Sequence, residues 1–464
     1  MKKILIEKID NLMKLAQSSK EKGDLSSCIN YLNEILNIDS NNKKALNNIG
    51  NAYKEMKNFS KALNYYSEAI KSDKNYIIAK TNLAILHHDL GNLSEAKKLY
   101  KDLIIFNKFN FAIYFNLSRI DFSYFDKKKI DFIEKSLENE NIDNYNKASG
   151  YFIIAKYHQV NDNFETEISF LEKAHEHYCK GVSTNIYTQN QNYWLNIIPK
   201  KFNQLKIIDI KKPNKNDIDI NPIFIIGMPR SGSTLVESII SSGKKKIPNG
   251  GETATINWAL LKNARKKLFE SNIDKIEINQ NKLKEDVLKR YQNLNLLKKS
   301  KKNFFTDKSL ENFFYIDIIL DLFPNAKFVH CKRNKIDNIF AIYQNFFTKM
   351  SWTHSIKDIV IYFDNYLKTI DNFINKNNKK IFTVELENLT TNSEDISKKM
   401  FNFCELEWSE ESLEYHKRKD LLSTTASNIQ IREKIYEYNK EKYNNYKKYL
   451  EKFEQDYVWL KKIL

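Results

Sequence analysis

The sequence predicts two domains of different class, an all-α helical-repeat array followed by an α/β domain with a central parallel sheet. Three observations carry this. Small and apolar residues recur every 34 positions through the first part of the chain. A continuous apolar run, Ile223 to Ile226, leads into a glycine turn and an amphipathic helix, as a buried parallel strand would. Between the two lies a polar stretch, residues 207–221, with Pro213 and several Asn and Asp, which reads as a linker. The expected borders are therefore 1–206 for the repeats, 207–221 for the linker and 222–464 for the α/β domain. The length of 464 residues agrees, being too great for one ordinary hydrophobic core.

The repeat is visible by self-comparison. Ala16, Gly50 and Ala84 are 34 apart, each preceded by Leu15, Ile49 or Leu83; Cys28, Ala62 and Ala96 keep the same step, as do Leu32, Tyr66 and Tyr100. Asp39 and Asp73 follow it near the end of each unit. Small residues let the two helices of a pair approach closely, while Leu and Tyr fill the space between pairs. This 34-residue helix–turn–helix pattern resembles the tetratricopeptide repeat. Three units span about residues 12–109, Leu117 and Leu137 continue the register into a weaker fourth, and residues 151–174 suggest a fifth. Units that cannot bury an apolar face alone stack into a solenoid. Its concave groove is expected to hold a protein partner or to serve as scaffold.

Composition narrows the function classes. Hydrophobic content of 42% with 13% aromatics suits a globular protein. The formal charge of +17 comes from Lys spread evenly among Asn and Ile, with no compact Arg-rich stripe, so no nucleic-acid partner is expected. A basic surface still favours anionic ligands. Cys28, Cys179, Cys331 and Cys404 form no CxxC pair, which argues against a zinc site and a disulfide framework. The opening MKKILIEKIDNLMKLAQ carries charges through its middle, unlike a signal peptide, and no apolar run is long enough to span a membrane. The expectation is a cytoplasmic protein.

The turn from Gly227 to Gly232, followed by a helix with Leu235, Val236, Ile239 and Ile240 on one face, gathers free backbone N–H groups and the positive helix end around one point. That is an anion cradle. Its spacing is close to the nucleotide P-loop GxxxxGK[ST], but Ser233 stands where the lysine would be and the charge sits at Arg230. Without that lysine and an evident Mg²⁺-binding acid, phosphoryl transfer by a kinase or nucleotide hydrolase is poorly supported.

The stretch PIFIIGMPRSGSTLVE, residues 222–237, resembles the 5′-phosphosulfate loop of sulfotransferases, especially tetratricopeptide-repeat sulfotransferases and the related tyrosylprotein sulfotransferases. The resemblance implies a three-layer, P-loop-like domain and 3′-phosphoadenosine-5′-phosphosulfate as sulfuryl donor, with no metal. It implies that Arg230, Ser231, Gly232, Ser233 and Thr234 hold the phosphosulfate, with Arg230 also acting on the reacting groups. Glu252, in Gly250-Gly251-Glu252-Thr253, matches the family's base, which takes the proton of an acceptor hydroxyl. In TDKSLENFF, Lys308 matches a lysine that neutralises charge on the departing bridge oxygen, with Leu310 in place of a usual proline.

Arg333, after a short strand from Lys327 to His330, matches the 3′-phosphate arginine, whose planar fork suits phosphate; eight residues on, Ala341 replaces the serine of that site. FTVELENLT, 382–390, resembles the family's strand ending in YExL, with Glu387 in the Glu place and Leu386 in the Tyr place. TTASNIQIREKIYEY, 424–438, resembles a lid segment in which Ser427, Gln430 and Arg432 cover the nucleotide, with Lys434 at a proline position. The implied activity is sulfuryl transfer to an acceptor hydroxyl, with protein tyrosine, glycan, lipid and small metabolite all open as acceptors. Two readings stand beside it. One is the kinase or hydrolase above. The other is a non-catalytic interaction protein with a degenerate nucleotide site, for which Ala341 and Leu386 speak.

Overall fold

The computed structural model describes residues 2–209, 219–270, 275–297, 302–376, 379–418, 420–421, 427–437 and 443–464. Most of the expected linker, 210–218, lies outside them, as do Thr424, Thr425, Ala426 and Tyr438 of the lid segment. The chain forms two compact units, one of residues 1–124 and 289–296, the other of 125–288 and 297–464.

The first unit is a run of antiparallel helices: α1 (Lys2–Glu21), α2 (Leu25–Ile38), α3 (Lys43–Glu55), α4 (Phe59–Ser72), α5 (Ile77–Leu90), α6 (Leu93–Phe106) and α7 (Phe111–Ser118). The 34-residue register maps onto its core: Ala16, Ala84, Cys28, Ala62, Ala96, Leu32, Tyr66 and Tyr100 are all buried. Gly50 shows why the step needs a small residue, since a Cβ there would lie 2.6 Å from the Tyr66 ring. Asp39, Asp73 and Asn107 end α2, α4 and α6, and each side chain accepts the N–H two residues on. The periodic aspartates thus build the turns between units.

The second unit opens with three more helices, α8 (Lys127–Leu137), α9 (Asn144–Val160) and α10 (Phe164–Gly181). Helices α11 (Thr184–Asn192) and α12 (Ile198–Lys201) follow and lead to strand β1 (Leu205–Ile208). The other strands are β2 (Asp219–Gly227), β3 (Ile276–Asn279), β4 (Lys302–Asp307), β5 (Lys327–Lys332) and β6 (Ile381–Glu385). Four of them make a parallel sheet in the order β4-β2-β5-β6. Strands β1 and β3 form a separate parallel pair that sequence reading did not foresee, because both are short and one begins beside the expected linker and runs into it.

Alternation along β2 and β5 covers the sheet on both faces. Ile223, Ile225, Val329 and Cys331 pack on α13 (Ser233–Ile240), α19 (Leu386–Thr391) and α20 (Ser393–Phe403). On the opposite face Phe224 stacks on Phe328, 5.5 Å between centroids, and His330 hydrogen-bonds Tyr366 of α18 (Ile356–Lys376). This is the three-layer arrangement the resemblance implied. Among the described residues no helix is long and apolar enough to cross a membrane.

Helix α10 is tied into the α/β unit by buried polar groups. His175 reaches Tyr343 O at 2.9 Å and His354 Nδ1 at 2.9 Å, and burial holds both imidazoles low, to about 3 and about 4. The Glu167 carboxylate accepts from Tyr446 (2.5 Å), Gln159 (2.7 Å) and Gln344 (2.9 Å), yet burial pushes it up to about 7 from 4.5. A raised acid pKa means the folded chain holds a proton that the unfolded chain has released. Stability at this site therefore falls as pH rises from about 4.5 to about 7. Thermal unfolding should show Glu167→Gln gaining on the wild type between pH 5 and pH 8, and a pH-independent difference would refute the assignment.

Candidate active site

All four strands of the main sheet run parallel, so the loops after them leave from one edge. That edge gathers the residues singled out by sequence. After β2 comes the turn 228–232, after β4 comes Lys308, after β5 comes Arg333, and after β6 come Leu386 and Glu387.

The turn is a demanding piece of backbone. Gly227 has φ +141° and sits against β5, where a Cβ would meet Cys331 O at 2.4 Å. Arg230 takes φ +66° and Gly232 φ +88°. Gly232 is the N-cap of α13 and makes no side-chain cap bond, and a helix start turns its first amides toward the residues before it. The Ser231 hydroxyl is buried and has no hydrogen-bond partner among the described residues. An uncapped helix start with an orphaned buried hydroxyl beside it fits an anionic group. Ser233 and Thr234, also buried, open the helix.

Arg230 reaches from the turn to the lid segment, donating to Ser427 Oγ at 2.6 Å and Gln430 Oε1 at 3.3 Å. Arg333 donates to Arg230 O at 3.0 Å, and Asn338 of α17 (Lys335–Tyr343) donates to Pro229 O at 2.6 Å. Four of the expected nucleotide residues, Arg230, Ser427, Gln430 and Arg333, thus come together. Arg432 makes different contacts, donating to Leu421 O at 2.6 Å and Arg418 O at 3.3 Å. It braces the segment from within.

The departures from the family pattern have definite places. Leu310 is buried at the start of a 3₁₀ turn, Leu310–Tyr315, so the expected helix from Phe313 begins as that turn and becomes α16 only at Ile316–Leu322. Leu386 packs on Gly232, where a Cβ would lie 2.6 Å from its Cδ1. Strand β6 ends at Glu385, earlier than expected, and Glu387 lies on α19, where it accepts Asn334 N at 2.7 Å. Ala341 is buried on α17, and Lys434 is exposed. Sequence reading missed Tyr443, whose ring lies 5.6 Å from the Arg333 guanidinium and whose hydroxyl donates to Gln344 at 3.2 Å. No local signal marks a tyrosine so far along the chain.

Lys308 and Glu252 meet at 2.8 Å. In so lysine-rich a chain a solvated side chain would be the default, yet Lys308 is 1% exposed while Glu252 is 40% exposed. Burial alone would lower the Lys308 ammonium, but the carboxylates of Glu252 and Glu237 outweigh it and hold its pKa above the ordinary value. The loop bearing Glu252 is strapped to the end of β4: Thr306 N donates to Pro248 O at 3.0 Å and Lys308 N to Gly251 O at 2.9 Å. Gly250 is required there, since a Cβ would stand 1.9 Å from Thr306 O. Beside the pair, burial and the neighbouring Asp307 and Glu252 charges push the Glu311 carboxyl up to about 7. The arrangement offers an exposed carboxylate next to a buried ammonium, at the edge where the anion cradle opens.

Comparison with known proteins agrees with this reading at the level of family. Residues 222–410 match the sulfotransferase family, and residues 44–76 match the tetratricopeptide repeat. An uncharacterized protein of Aquifex aeolicus (strain VF5) is 28% identical over 338 residues, covering 70% of this chain and 43% of that protein. The chain therefore spans less than half the length of that relative. Among solved structures, the sulfotransferase domain of the Synechococcus PCC 7002 olefin synthase is 15% identical, covering 51% of this chain and 91% of that domain, with TM-score 0.35. MamA is 18% identical, covering 36% of this chain and 95% of its own, with TM-score 0.29. Superpositions this loose add nothing to the family matches.

Proposed function

We propose that this protein transfers a sulfuryl group from 3′-phosphoadenosine-5′-phosphosulfate to an acceptor hydroxyl. The observation that carries the reading is the Lys308–Glu252 pair at 2.8 Å on the strand edge that also bears the 227–234 turn, within the stretch that matches the sulfotransferase family. The donor, when bound, supplies a sulfuryl group already joined to a phosphate leaving group. The turn amides, Ser231, Ser233, Thr234 and Arg230 would hold its phosphosulfate, and Arg333 its 3′-phosphate, with Ser427 and Gln430 closing over it.

Glu252 accepts the proton of the acceptor hydroxyl as its oxygen bonds to sulfur. Lys308 offsets the charge left on the bridge oxygen as its bond to sulfur breaks, a role exercised mainly in the transition state. The surroundings of each group suit what it does. An exposed carboxylate can meet an incoming hydroxyl, while a buried ammonium acts where water does not screen it. A protein tyrosine, brought in by the repeats, is one acceptor that this chemistry serves.

Titration calorimetry with adenosine 3′,5′-bisphosphate in EDTA tests the reading. Metal-independent binding is expected. Absence of binding would overturn it, and binding of ATP only with Mg²⁺ would favour a kinase. Labelled donor incubated with host-cell extract would then reveal the acceptor class.

A further inference from the structure

Glu237 has no part in the chemistry described so far, yet it is a buried carboxylate at the centre of the site, 2% exposed on α13. Its Oε1 accepts Gly251 N at 2.8 Å and Thr306 Oγ at 2.7 Å, and that Thr306 hydroxyl in turn accepts Gly250 N at 3.1 Å. The helix that starts at the anion cradle therefore grips, one turn later, both the backbone before Glu252 and the strand end before Lys308. A buried carboxylate is costly unless such donors satisfy it.

We infer that Glu237 is a positioning residue, which fixes the Glu252 base and the Lys308 ammonium relative to the donor loop through the Gly250–Gly251 backbone and Thr306. This rests on the sulfuryl-transfer reading. Rigid coupling matters because a misplacement of about 1 Å can cost about 10²-fold in rate. The negative charge has a second effect. Lys308 faces Glu252 from the loop, Glu237 from α13, Cys331 from β5 and Glu311 from the 3₁₀ turn, and Glu237 helps to keep it protonated.

The test compares Glu237→Ala with Glu237→Gln in the full chain. Gln keeps an acceptor oxygen but no charge, whereas Ala removes both. Amide exchange in residues 248–253 should speed up in Glu237→Ala and stay near wild type in Glu237→Gln. Transfer should fall about 10²-fold in the Ala variant, while affinity for adenosine 3′,5′-bisphosphate holds. In the Gln variant the alkaline limb of the transfer rate should move to lower pH, because Lys308 loses a stabilising neighbour; a merely structural role would leave that limb in place. Unchanged exchange in the Ala variant, or an unmoved limb in the Gln variant, would overturn the inference. A wild type that binds no adenosine 3′,5′-bisphosphate would instead overturn the sulfotransferase reading, and exchange at 248–253 would still decide whether Glu237 holds the loop.

Discussion

Glu252→Gln is expected to lower sulfuryl transfer by about 10²–10⁴-fold, the usual worth of a general base, without loss of affinity for adenosine 3′,5′-bisphosphate. The substitution is close to isosteric. A glutamine oxygen can still accept from Lys308 Nζ, the bond Glu252 makes at 2.8 Å, so the lysine keeps its place. What disappears is the capacity to take a proton. Lys308, 1% exposed, loses its nearest counter-charge but keeps that of Glu237, so the fold should tolerate the change. Parallel loss of transfer and nucleotide affinity would point to a structural role, and unchanged transfer would remove Glu252 from the mechanism.

The contrast between Glu252 and Glu237 shows what a sequence can reveal of such a site. The turn from Gly227 to Gly232 was legible because its requirements are local: an apolar strand before it, glycines at two of its three positive-φ positions, and a helix after it. The repeat was legible for a similar reason, since burial of Ala16, Ala62, Tyr66 and Tyr100 imprints a period on the chain. Glu237 lies in LVESII, beside residues read correctly as the apolar face of a helix. A lone acid in that turn was the only signal, and its meaning depends on the amide of Gly251 and the hydroxyl of Thr306 being brought to it. Tyr443 is hidden in the same way, as its place beside Arg333 is set by tertiary packing. The short β1–β3 pair was hidden because four residues per strand carry too little pattern to separate from a linker.

Arg432, expected at the nucleotide from its motif position, donates to Leu421 O and Arg418 O. Arg230 joins the turn to Ser427 and Gln430 across a long span of chain.

Lys308→Met should reduce transfer by about 10²–10³-fold, the range seen when one donor to a developing charge is removed. Methionine can fill the slot of a side chain that is only 1% exposed, so packing is largely kept. Two carboxylates then lose their cation. Glu252 can turn to water, and Glu237 retains Gly251 N and Thr306 Oγ as donors. The stability cost should therefore stay below the roughly 3–5 kcal/mol of breaking a fully buried pair, and denaturant unfolding measures it. Kinetics decide the role. If Lys308 acts on the bridge oxygen, the loss falls on kcat, since that charge develops only as the bond to sulfur breaks. A raised KM at unchanged kcat would mean that Lys308 anchors the ground-state donor and that another group, with Arg230 foremost by position, carries the leaving-group charge.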